Sequence, residues 1–180
     1  GHARRPLVLS ADRGRGKSTV LGFAAARLLR DGRVPRITVV APHRRAVETL
    51  FRHARAQAGL AAAPVADLTL GGTTLRFRLP GDCLAAADDP GLLLVDEAAA
   101  LSVGVLDGLL RRSNRLVFAT TEQGYEGSGR GFRLRFESLL RRAMPQFRRA
   151  RLETPVRWAP NDPLEALVNK FSHQRFEPSG

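Results

Sequence analysis

Two short stretches hold residue types and spacings that could do phosphate chemistry. The first is SADRGRGKST, residues 10–19, in which Ala11 is separated by four residues from Gly16-Lys17-Ser18. Gly14 and Gly16 let backbone N–H groups converge on an anion, because a side chain there would fill the anion's place. Lys17 then reaches the terminal phosphates, and the Ser18 hydroxyl is placed to ligand magnesium. Such a loop normally opens with glycine. Ala11 costs little there, since the opening position only has to leave its strand through a small residue. Arg13 and Arg15 interrupt the turn, and the alternative is an arginine-rich surface turn that happens to spell Gly-Lys-Ser.

The second stretch is LLLVDEAAA, residues 92–100. An aspartate ending a buried strand can orient magnesium, and the residue after it can polarise an attacking water. Asp96 is therefore the expected metal partner and Glu97 the expected general base. Alone, an Asp-Glu pair after a strand also fits a helix N-cap. Its coexistence with the glycine loop favours the catalytic reading.

These groups must be held by regular elements. Residues 6–11 (PLVLSA) form a short apolar run that leads into the loop. From Lys17 to about Arg30 the chain is proline-free and rich in Ala and Leu, which predicts a helix. Strands are expected at 36–42, 73–79, 92–95 and 116–119, the consecutive apolar ones covered on both faces. Val47, Leu50, Phe51, Ala54 and Ala58 recur at helical spacing with Arg44, Arg45, Arg52 and Arg55 opposite, so one amphipathic helix is expected over 44–58. Further helices are expected at 103–112 and around Phe132, Phe136, Leu139 and Leu140, where Arg130, Arg133, Arg141 and Arg142 take the other face. A last helix is expected from Asn161. Alternating strands and helices predict a mostly parallel α/β sheet with helices on both faces and right-handed crossovers. Ligands in such folds bind at the carboxyl ends of the strands.

Three more loops lie at such ends. LVFATT closes a strand with Thr120 and Thr121, whose hydroxyls could sense a terminal phosphate, although threonine also suits a strand for β propensity alone. GYEGSGRGF, residues 124–132, leads into the arginine-faced helix with Ser128 as a cap. PVRWAPNDP, residues 155–163, places Arg157 and Trp158 after a short strand. Arg157 could stabilise charge on transferring phosphates, or serve as a surface ion pair beside a buried indole.

At 180 residues the chain has room for one domain with a full core. Residues 1–5 read as an N-terminal tail or cloning scar, 6–173 as the domain and 174–180 as a frayed tail. The net charge of +12 comes almost wholly from arginine, Lys17 and Lys170 being the only lysines. A positive field of that size raises encounter rates with RNA or DNA. Tyr125 and Trp158 alone look placed for base stacking, so backbone attraction is the expectation rather than sequence reading. No apolar span or secretory signal points to a membrane. One cysteine, Cys83, excludes a disulfide framework and a thiolate zinc site, and fits a reducing, cytoplasmic setting.

Taken together, ADRGRGKS, VDEAAA, TT, GYEGSGRGF and PVRWAPNDPLE resemble the ATPase module of the tRNA(Met) cytidine acetyltransferase family, over residues 6 to about 165. The resemblance implies a RecA-like P-loop NTPase fold and ATP with Mg2+ as cofactors. It also implies ATP hydrolysis that accompanies wobble-cytidine acetylation, and elongator methionine tRNA and an acetyltransferase domain of the parent polypeptide as partners. ATP contacts would map to Gly14, Arg15, Gly16, Lys17, Ser18, Thr19, Val20, Leu21, Gly22, Phe23 and Arg157. Leu101-Ser102 departs from the family's Ile-Pro. The acetyl-CoA-binding half and a residue near the adenine would lie outside these residues, so the chain alone is not expected to acetylate. Two alternatives remain beside the ATPase reading. One is half of an RNA helicase or translocase motor; the other is an arginine-rich RNA-binding scaffold with a vestigial nucleotide site.

Overall fold

The computed structural model describes residues 6–12, 16–32, 34–122, 128–143 and 145–152. They build a seven-stranded sheet in the order β3-β4-β2-β5-β6-β1-β7. The strands are β1 Leu7–Asp12, β2 Arg36–Val40, β3 Leu68–Leu70, β4 Thr73–Arg78, β5 Leu92–Val95, β6 Leu116–Glu122 and β7 Arg148–Leu152. All neighbours run parallel except the β3–β4 pair at one edge. The expected α/β class with a mostly parallel sheet is what the chain adopts.

Strand alternation explains how both faces are covered. Leu7, Leu9 and Ala11 of β1 join Leu92 and Leu94 of β5 and Val117 and Ala119 of β6 in one core. That core is closed by α1 (Lys17–Asp31) and α2 (Glu48–Gln57). The intervening residues Val8, Leu93, Val95, Leu116 and Phe118 face the other way, against α3 (Pro80–Ala85), α4 (Val103–Leu110) and α5 (Ser128–Ala143). Consecutive apolar residues in β5, all four buried, are what a strand covered on both faces requires.

Some elements differ from expectation. The helix expected over 44–58 is split: Arg44–Val47 is a 3-10 turn, and the α-helix begins at Glu48. His43 caps that turn by accepting the Ala46 amide on Nδ1 at 3.2 Å, which tightens the chain before it can enter the α-helix. Strand β3 and helix α3 were not expected. The tail helix from Asn161 lies outside the described residues.

Topology sets where a ligand could sit. One strand, β6, lies between β1, which leads into Gly16-Lys17-Ser18, and β5, which ends at Asp96-Glu97. Chain connections from β1 to β2 and from β6 to β7 run in opposite directions along the sheet. The carboxyl end of β1 is thus a topological switch point, where open α/β sheets bind their ligands.

Candidate functional site

Gly16 occupies the left-handed region, at φ 78 and ψ 23, immediately before α1. Glycine adopts that conformation without steric cost, which lets the chain turn from loop into helix within one residue. Gly16, the N-cap, has no side chain to cap α1, so among the described residues the first-turn N–H groups stay open to an anion, and the positive helix end adds to the attraction.

Asp96 follows β5 directly. Its amide donates to the Val40 carbonyl of β2 at 2.8 Å, so the residue is held as one more rung of the ladder. Its side chain is fully buried, on the α1 side of the sheet. Lys17 Nζ lies 2.9 Å from Asp96 Oδ1 and 2.9 Å from Glu97 Oε1. Asp96 Oδ1 also accepts the Glu97 amide at 2.9 Å. The structure therefore brings together the lysine of the first stretch and both acids of the second, across one intervening strand.

Glu97 carries a local strain. At φ 53 and ψ 43 it is the one non-glycine residue with positive φ among the described residues. That conformation costs a non-glycine residue about 1 kcal/mol or more, and such costs cluster at functional sites. Here the turn brings the half-exposed Glu97 carboxylate back to the Lys17 ammonium instead of letting it run on with the strand.

The electrostatics follow from burial. Burial alone pulls the Lys17 ammonium down, but the charges and hydrogen bonds of Asp96 and Glu97 together outweigh it and raise its pKa above 10.5. Burial raises the Asp96 carboxyl above its ordinary value, and Lys17 offsets only part of that rise. Asp96 Oδ2 is buried without a hydrogen-bond partner among the described residues. An orphaned carboxylate oxygen suits a hard cation such as Mg2+, which takes one or two protein oxygens and completes its shell with water and phosphate. No cluster of three or more His, Cys, Asp or Glu exists among the described residues, so a cage made of protein carboxylates is not what this site offers.

The remaining expected contacts divide. Ser18 is half-buried next to Lys17, and Thr19 is half-buried with its hydroxyl 3.2 Å from His53 Nε2. Val20 and Leu21 are fully buried core residues. Gly22 packs against α2, and Phe23 meets the His53 ring edge-on at 5.4 Å. Val20, Leu21, Gly22 and Phe23 thus pack α1 into the core and against α2. Thr120 and Thr121 are half-buried and lie level with Ser10 and Ala11 in the register. Gly14, Arg15, Tyr125, Arg157 and Trp158 lie outside the described residues. The contact between Thr19 and His53 has no signature in the sequence, since 34 residues separate the two.

Comparison with known proteins gives a consistent picture. A family model described as RNA cytidine acetyltransferase NAT10/TcmA, helicase domain, matches residues 8–173. The tRNA(Met) cytidine acetyltransferase TmcA of Vibrio cholerae is 46% identical over 170 residues, covering 94% of this chain and 24% of that protein. Its counterpart from Nitrosococcus halophilus is 47% identical over 168 residues, covering 93% and 22%. That of Haloferax volcanii is 40% identical over 167 residues, covering 89% and 22%. The chain thus spans under a quarter of the length of these relatives. No helix among the described residues is long and apolar enough to cross a membrane.

Proposed function

The chain belongs to the RNA cytidine acetyltransferase family and corresponds to its helicase-domain region, and from that premise we propose that it binds and hydrolyses Mg-ATP as the motor module of an RNA-modifying protein. The observation that carries this reading is the Lys17 ammonium shared between Asp96 and Glu97 at 2.9 Å each. A cation neutralising two acids can be exchanged: incoming phosphate oxygens take Lys17, and the acids are released to their own tasks.

In that exchange Lys17 and the amides at the start of α1 hold the phosphates. Ser18 and Asp96 would hold Mg2+, which supplies neutralisation of charge on the phosphate oxygens. Glu97 orients a water on the terminal phosphorus and accepts its proton as the new P–O bond forms and the bond to the bridging oxygen breaks. Arg157 offsets charge building on the departing phosphates. Turnover then repositions tRNA, or the acetyltransferase part of the parent polypeptide, against the other. The arginine-rich surface fits attraction to an RNA backbone.

Phosphate release by this chain with and without tRNA, at two salt concentrations, tests the reading. Release that tRNA stimulates, more strongly at the lower salt, is expected. No release under any of the four conditions would contradict it.

A further inference from the structure

We propose that His53 of α2 is a positioning residue of the nucleotide site, holding the first turn of α1 through the hydroxyl of Thr19. The inference rests on the reading that this site takes Mg-ATP.

Thr19, Gly22 and Phe23 stand at helical spacing i, i+3 and i+4, so they form one stripe along α1. All three meet α2. The Thr19 hydroxyl and His53 Nε2 share a hydrogen bond of 3.2 Å, its direction set by the imidazole tautomer. The Phe23 ring meets the His53 ring edge-on, at 5.4 Å and 87°. Between them the helices touch through backbone: a Cβ on Gly22 would stand 2.6 Å from the Leu50 carbonyl oxygen and 2.8 Å from the His53 Cβ. His53 therefore lies over the first two turns of α1.

Those turns do the binding work. Lys17 and Ser18 immediately precede Thr19, and the amides of this turn are the ones a helix leaves unpaired. Two adjacent hydroxyls, on Ser18 and Thr19, begin the helix, and α2 engages the second. Ser18 is left as the hydroxyl that can turn to the ligand. With Thr19 tied to a neighbouring helix, the amides and Lys17 are presented in one orientation before any phosphate arrives. Pre-ordering of that kind acts on affinity, because it removes an ordering cost that binding would otherwise carry.

The test is a cycle in this chain: Thr19→Val, His53→Phe, the double variant and His53→Gln. Mg-ATP affinity is read by calorimetry, turnover by phosphate release. His53→Phe keeps a ring against Phe23 without a hydrogen-bonding atom; His53→Gln gives up the ring but reaches the same hydroxyl. Thr19→Val and His53→Phe are each expected to weaken Mg-ATP binding about three- to tenfold, the range of one hydrogen bond. The double variant should be no weaker than the worse single one, since both remove one interaction. Turnover of His53→Phe at saturating ATP should stay within about twofold, and His53→Gln should bind within about twofold of the unaltered chain. Unchanged affinity in the single variants, additive losses in the double one, or a fall in turnover with affinity intact would each overturn the positioning role. An unaltered chain that binds no Mg-ATP would bring down the nucleotide reading itself and this role with it.

Discussion

Replacing Lys17 by methionine removes the charge that Asp96 faces while keeping most of the length of the side chain. Lys17 is 7% exposed and Asp96 0%, so the remaining carboxylate has no water to turn to. Breaking a buried pair by removing one partner typically costs about 3–5 kcal/mol. Asp96 has one escape, which is to take up a proton. That costs about 1.4 kcal/mol for each pH unit above the ordinary carboxyl value of 3.8, so the penalty is capped near 4 kcal/mol at pH 7 and near 2 kcal/mol at pH 5. Its folded pKa is raised, so the penalty is absent below 3.8 and grows as pH rises towards the folded value. Glu97 adds little, because its half-exposed carboxylate can be solvated. Urea unfolding followed by circular dichroism, run on both proteins at pH 5 and pH 7, should show Lys17→Met less stable by about 3–4 kcal/mol at pH 7 and by about half as much at pH 5. A loss below about 1 kcal/mol that does not change with pH would mean that Lys17 and Asp96 do not share a dry site.

Other consequences are separable. Gly22→Ala forces α1 away from the backbone of α2, because the new Cβ would lie 2.6 Å from a carbonyl oxygen, and should cost about 1–3 kcal/mol in thermal or urea unfolding. Ser102 caps α4 by accepting the Val105 amide at 3.2 Å, so Ser102→Ala should cost about 1 kcal/mol in urea unfolding. Ser102→Pro loses the same cap but should recover most of that cost by stiffening the unfolded chain, since Ser102 has φ −68 and Leu101 φ −97 with ψ 148, the backbone a Leu-Pro pair requires. Asp88 is held below its ordinary value of 3.8, first by its hydrogen bond from Arg76, so its contribution is present above 3.8 and lost as pH falls through its folded pKa. Asp88→Asn should flatten the fall in urea midpoint below pH 3.8.

What could be seen in the sequence follows the strength of local signals. β5 was legible because four apolar residues in succession end at a charged pair, and α1 because a glycine turn precedes a proline-free run. β3 was not, because Leu-Thr-Leu is three residues long with one of them polar, and its strand character comes from pairing with β4. α3 is illegible for a related reason: six residues begin at Pro80 and bury only Cys83, so no apolar stripe marks the helix. The split at Val47 depends on a cap from His43, a residue type with no strong capping signature. At the site, residue types and strand ends pointed to Lys17, Asp96 and Glu97. Their meeting depends on β6 entering between the two strands, and the Thr19–His53 contact on how α2 lies against α1. Pattern in the chain places residues on elements, whereas packing decides which side chains touch.

The most direct test of the central claim sets Glu97→Gln against the unaltered chain, with ATP binding and phosphate release measured on the same preparations. If Lys17 and the α1 amides grip the phosphates while Glu97 takes the proton from water, the variant binds Mg-ATP within about threefold of the original and its turnover falls by roughly a hundredfold or more. Equal loss of both, or turnover that survives the change, would contradict the assignment.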